Sequence, residues 1–509
     1  MSYTSLAVSL IAMSRDAFKL PPPMSDPAFT AAATTKQRVF PLHLSPIEIY
    51  MLADDQKDYP MSFVVQVQLS GQIKRNAFEA ALEETLDRHP LLQSRIAIGK
   101  GGLPCWVHAP DQRPDLDWGA DPTSMTCPRG EGLDLTSEIG LRVWVRQGEA
   151  GARVLLQIHH ACCDGTGAYR FLGDLLASYG MRTTTVGKSP SLGVIDVTHL
   201  RSRNQRSRGA VDASPNRLRL LAFKGLGKLL VHLPAPIRPA ASASRNGKQA
   251  DEFPGFLYRS FDRSVHQQLR DAATRQGVSF NDLLLRDLFL TLELWNRRQR
   301  SVRRWPWSLW GRRWLRILMP TDLRGGADFE MPATNLSGCT FLTRSVRDCA
   351  VPEQLLQSIR EETAAIKHKR SGAAFVDMIY VASKVRWLLP FALSRNLCLA
   401  TAVLSNPADP SKRFTAQLPR RAGRVICGNL ELEEITGVPP LRPKMRAAFS
   451  ISQYDRRLTI SLRCDPHTFR LEDTANLLEL YISQLRRSAD FAPSTGSKEG
   501  DRCVPSGIA

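Results

Sequence analysis

The segment 153–179 constrains the fold more tightly than any other stretch of the 509-residue chain. It opens with Arg153-Val154-Leu155-Leu156-Gln157-Ile158, a short run rich in branched residues that reads as a buried strand. It closes with Phe171, Leu172, Leu175, Leu176 and Tyr179 at helical spacing. Between them stands His159-His160-Ala161-Cys162-Cys163-Asp164-Gly165, the pattern HHxxxDG, with Gly165 and Gly167 loosening the way into the helix. The end of a strand is a common place to hold a catalytic group on a rigid element. Side chains alternate along a strand, so His159 and His160 should point in opposite directions, and only one can face a given substrate.

This spacing admits several chemistries. His160 can serve as a general base, with Asp164 and Gly165 fixing the turn that presents it. A zinc site would use His159, His160, Asp164 and Cys162 or Cys163, but opposed histidines make that geometry awkward and no second ligand cluster accompanies them, so no metal is expected. Cys162 beside His160 has the makings of a nucleophile, although a buried, inert thiol is the commoner case. The plainest alternative is a histidine pair that only satisfies hydrogen bonds in a core turn.

Several further segments follow in a recognisable order: Leu44-Ser45-Pro46-Ile47-Glu48; the stretch from Phe78 through Arg88-His89-Pro90-Leu91-Leu92-Gln93-Ser94-Arg95-Ile96; Gly277-Val278-Ser279-Phe280-Asn281-Asp282; Pro320-Thr321-Asp322-Leu323-Arg324 with Asn335 and Gly338 after it; and Leu404-Ser405-Asn406-Pro407. Together with HHxxxDG, these resemble the superfamily of coenzyme A-dependent acyltransferases over roughly residues 38–490. That superfamily includes chloramphenicol acetyltransferase, condensation domains, wax-ester synthases and alcohol O-acetyltransferases. Only HHxxxDG is individually specific.

The resemblance implies an α/β (α+β) fold of two chloramphenicol-acetyltransferase-like subdomains. Each would be a mixed sheet flanked by helices, with a tunnel between the two. It implies an acyltransferase in which His160 is the general base, His159 shapes the loop, and Asp164 turns away to pair with an arginine. It also implies acyl-CoA or an acyl-pantetheine as co-substrate, no permanently bound cofactor, and a small hydroxyl or amine acceptor. Two rivals are a condensation-type synthase using an acyl carrier protein and a non-catalytic binding protein of the same fold. Where condensation domains place an arginine for the motif aspartate stands Gln93, leaving Arg95 and Arg324 as candidate partners. Asn335, Ser337, Ser405 and Asn406 are candidates for the oxyanion donor or tunnel lining. The segment after Asn406 departs from the wax-ester pattern, and the plant branch's "DFGWG" loop is absent. No carrier or adenylation segment follows, so a stand-alone protein is expected.

The expected layout is a mobile leader at 1–37, an N-terminal subdomain at 38–180, a basic connector at 181–251, a C-terminal subdomain at 252–490 and a disordered tail at 491–509. Within the connector, 217–233 reads as an amphipathic helix packing on its own domain. The interval 297–316 gathers eight arginines with Trp305, Trp307, Trp310 and Trp314, a composition suited to peripheral membrane contact, the alternative being an elaborated surface loop. A net charge of +19 suits the phosphates of coenzyme A or an acidic carrier and selects neither. No nucleic-acid motif accompanies the charge. Ten scattered cysteines without a CxxC point to a reducing compartment. No secretion signal is evident at 5–13, and Pro390, Arg395 and Asn396 break the longest apolar run, so a cytoplasmic protein is expected.

Overall fold

Ser45 starts the helix Pro46–Ala53 by a reciprocal cap. Its hydroxyl accepts the Glu48 N–H at 3.4 Å, while the Glu48 carboxylate accepts the Ser45 N–H at 2.8 Å. In this computed structural model the described residues are 39–99, 102–209, 253–299, 314–369, 371–384, 388–394, 396–489 and 503–505, with parts of 214–240. The helices that matter below are α1 (Pro46–Ala53), α2 (Arg75–Arg88), α3 (Gly165–Thr183), α4 (Arg263–Arg275), α5 (Phe280–Arg298), α6 (Pro352–Lys369), α7 (Gly372–Ser383), α8 (Leu388–Ser394) and α9 (Leu471–Ser488).

Two seven-stranded mixed sheets form the frame. Strands β1 (Leu42–His43), β3 (Ser94–Ile98) and β4 (Pro104–His108) make a separate three-stranded sheet. The N-terminal sheet contains β2 (Ser62–Ser70), β5 (Asp115–Ala120), β6 (Leu141–Gln147) and β7 (Gly151–His159). The C-terminal sheet contains β8 (Leu257–Phe261), β9 (Trp314–Asp322), β10 (Ser337–Ser345), β11 (Ala402–Ala408), β15 (Ala447–Tyr454), β16 (Arg457–Cys464) and, at its edge, β17 (Cys503–Pro505). Each has its own apolar core, one centred on β2, β7, α2 and α3, the other on β9, β15, β16, α5 and α9. The motif strand β7 lies between β2 and β6, and its residues from Val154 to His159 are all buried because both faces are covered, Val154, Leu156 and Ile158 joining one apolar cluster and Leu155 another.

The boundary drawn at residue 252 does not separate the sheets. Strands β12 (Arg420–Arg421), β13 (Arg424–Cys427) and β14 (Leu430–Val438) cross over and complete the N-terminal sheet, β14 pairing with β2 from Glu431 opposite Ser70 to Val438 opposite Val64. The connector is also tied down. Arg203 donates to both carboxylate oxygens of Glu48 at 2.7 and 2.8 Å, and Trp106 donates at 3.0 Å, so with the Ser45 N–H the carboxylate accepts four hydrogen bonds.

In the connector helix Leu229 is half-buried and Leu233, just past its end, is exposed, while Leu218, Ala222 and Leu226 lie outside the described residues. Arg316 holds its end by donating to the carbonyls of Leu229 and His232 at 3.0 and 2.8 Å. Trp314 does not sit in a surface loop: it begins β9, partly buried, with its ring 4.0 Å from that of His232. Trp305, Trp307, Trp310 and the leader 1–37 lie outside the described residues. Of the tail, Cys503–Pro505 is not free but pairs with β8. No helix among the described residues is long and apolar enough to cross a membrane.

Candidate active site

β7 ends at His159 and α3 begins at Gly165, so HHxxxDG occupies the turn between them. Asp164 caps the helix, accepting the Gly167 N–H at 2.8 Å. Its carboxylate also takes both arms of Arg324, at 2.8 and 2.9 Å, and the Leu336 N–H at 2.8 Å. Burial opposes ionisation here, yet the Arg324 guanidinium and these N–H groups hold the carboxyl below the usual range. Arg324 further donates to the Thr334 carbonyl at 2.7 Å, so one aspartate fastens the motif turn to the loop 333–337 of the other half. Arg95 is not that partner. It lies on β3, its guanidinium reaching the Thr136 carbonyl at 3.5 Å. Gln93 bonds the carbonyls of Pro110 and Gln112, so its replacement of arginine leaves Asp164 paired.

The two histidines diverge. His159 is buried, its Nδ1 accepting the Ala161 N–H at 3.1 Å and its Nε2 lying 3.5 Å from Asp55. His160 lines a cavity of about 210 Å³ between the subdomains, with the Phe63 ring 5.1 Å away. Burial lowers its pKa below the ordinary histidine value, partly offset by a hydrogen bond to its own carbonyl oxygen and by Asp164.

Asn335 sets the His160 ring. Its Oδ1 accepts from the Ser337 N–H at 3.1 Å and hydroxyl at 2.6 Å, which leaves its amide nitrogen toward His160. That nitrogen donates to the His160 carbonyl at 2.7 Å and stands 3.2 Å from Nδ1. Nδ1 thus lies within reach of both its own carbonyl and the Asn335 amide, and Nε2 is the ring nitrogen with no partner among the described residues. Asn335 and Ser337 therefore spend their polar groups on the ring's support. Asn406 bonds Asn281 at 3.1 Å. Ser405 lines the same cavity, and its hydroxyl has no partner among the described residues. Cys162 and Cys163 are fully buried, and burial pushes both thiols well up, which removes the thiolate a nucleophile needs.

Sequence reasoning missed a second support for this loop. His89 is sealed in the core, its Nδ1 accepting the Ala333 N–H at 2.8 Å and its Nε2 lying 3.2 Å from Asp174, which also receives Arg88 at 2.7 Å. The Arg88-His89-Pro90 run was the available signal, but nothing local tied it to residue 333. Gly167 carries the steric demand rather than Gly165. A Cβ there would stand 2.9 Å from both the Cys163 Cβ and the Thr334 carbonyl oxygen, whereas at Gly165 the nearest atom, in Tyr169, is 3.9 Å away. Gly167→Ala is expected to lose about 1–3 kcal/mol, read by denaturant unfolding, against a change within about 1 kcal/mol for Gly165→Ala.

No family model matches the chain. The structure resembles solved condensation domains. The first condensation domain of the calcium-dependent antibiotic synthetase superposes with a TM-score of 0.61 at 14% identity, covering 91% of this chain and 99% of that domain. The starter condensation domain of rhizomide synthetase, solved with C8-CoA and Leu-SNAC, gives 0.58 at 14% identity over 88% and 95%. The epimerization domain of tyrocidine synthetase B gives 0.56 at 13% identity over 88% and 97%. The fold is thus that of these condensation domains, two mixed-sheet subdomains side by side. In sequence, the uncharacterized protein Rv2305 of Mycobacterium tuberculosis is 23% identical over 269 residues, which is 50% of this chain. The match spans 57% of that relative's length.

Proposed function

We propose that the protein transfers an acyl group from a thioester to a hydroxyl or amine, with His160 as general base. The observation that carries this reading is a half-buried imidazole whose Nδ1 side is held by Asn335 and whose ring lines the cavity between the subdomains. His160 Nε2 takes the acceptor's proton as its oxygen or nitrogen attacks the thioester carbonyl. The tetrahedral intermediate collapses with cleavage of the C–S bond, and the proton passes from His160 to the departing thiolate. Ser405, with its unpartnered hydroxyl, is the donor we assign to the developing oxyanion. Arg324, Asp164 and Asn335 position the base. Acyl-CoA is the proposed donor and no resident cofactor takes part. The epimerization domain's likeness makes clear that the fold alone does not choose the chemistry, so the reading rests on the site. It is tested by acceptor-dependent thiol release in wild type and His160→Ala.

A further inference from the structure

The cavity beside His160 has a second polar feature that the transfer chemistry does not use. At the end of α1, Asp54 is fully buried and receives Nε and Nη2 of Arg442, the latter at 2.8 Å. Tyr50, on the same helix, lies beside this pair. Arg442 sits in the connection from β14 to β15, so the pair joins the two halves of the protein. Both Tyr50 and Arg442 line the cavity, among Met51, Met61, Val403 and Met445. Among the described residues no acceptor stands on Arg442 Nη1, and that nitrogen is not sealed from solvent. A guanidinium held by its other two nitrogens therefore offers a fixed N–H donor to an otherwise largely apolar wall.

We infer that Arg442 Nη1 forms a specificity subsite for a neutral oxygen acceptor, such as a keto, ester or amide carbonyl, borne on an apolar chain of the substrate. Charge selects neutral oxygen over a carboxylate. Asp54 already balances Arg442, so an arriving carboxylate would leave one buried negative charge uncompensated. A carbonyl needs only the one donor. The placement follows β10. Ser337, bonded to Asn335 beside His160, and Cys339, beside Tyr50 and Arg442, share a strand face two residues apart. Ser337 and Cys339 are thus roughly 7 Å apart along the strand.

The inference rests on the acyl-transfer reading for what fills the cavity, so its test reads binding without turnover. Calorimetry would compare two matched ligand series against the wild-type protein. One is ten-carbon acyl pantetheine amides, which cannot transfer, and the other is ten-carbon primary alcohols, each plain or with a keto group walked along the chain. At one keto position in at least one series, affinity is expected to exceed the plain ligand's by about tenfold. The double variant Arg442→Met with Asp54→Asn removes both buried charges together and should abolish that gain while leaving the plain ligand's affinity. Should that variant fail to fold, Arg442→Lys, which keeps the charge but lacks the fork, should reduce the gain. Equal or weaker binding of every keto ligand in both series, or a gain that survives loss of the fork, would overturn the proposal. An enzyme that binds these ligands selectively but transfers nothing would instead overturn the acyl-transfer reading.

Discussion

Asp164→Ala is expected to lower stability by about 3–5 kcal/mol, the cost of leaving the buried Arg324 guanidinium without its anion. The carboxylate accepts four hydrogen bonds from three partners: both arms of Arg324, the Leu336 N–H and the Gly167 N–H. Losing it uncaps α3 and frees the loop 333–337 at once, so the contributions are not additive. The pH dependence follows from the depressed carboxyl. The stability it supplies is fully present above the unfolded carboxyl's pKa of about 3.9 and is lost as pH falls through the lower folded value. Urea unfolding of wild type and variant across the acid range checks both parts. The difference should be largest near neutrality and shrink below about pH 4. A difference under 1 kcal/mol at pH 7 would show that Asp164 does not fasten the two halves.

His160→Ala should leave the unfolding midpoint nearly unchanged and lower kcat by about 10²–10⁴-fold, the range a positioned general base supplies. The base is active only when neutral, and burial holds its pKa below 6.5. The acid limb of kcat/KM should therefore fall below pH 6.5, activity being lost as pH drops through the folded value. An acid limb above pH 7, or a variant that retains its kcat, would remove His160 from the reaction.

The parts of this site that were legible in the sequence are local ones. β7 and α3 announce themselves by a branched apolar run and a helical repeat, and HHxxxDG marks the turn between them. Long-range partners leave no such mark. Arg324 and Arg95 were equal candidates because sequence does not say which arginine faces a buried carboxylate 160 residues away. The N-terminal sheet's β14 lies in the C-terminal part of the chain because its alternating residues fit either sheet, and only pairing with β2 decides. Asn335 is an oxyanion candidate by resemblance, and only the structure shows its amide, directed by Ser337, bonded to the His160 carbonyl. Nothing in the sequence marks Asp54 and Arg442, 388 residues apart, as a buried pair.

The central claim is most directly tested by thiol release from a panel of acyl-CoAs, each mixed with pooled alcohols and amines, for wild type and His160→Ala. The account predicts acceptor-dependent release that the wild type supports and the variant loses. No release from any pair by the folded wild-type protein, or equal release by the variant, would contradict it.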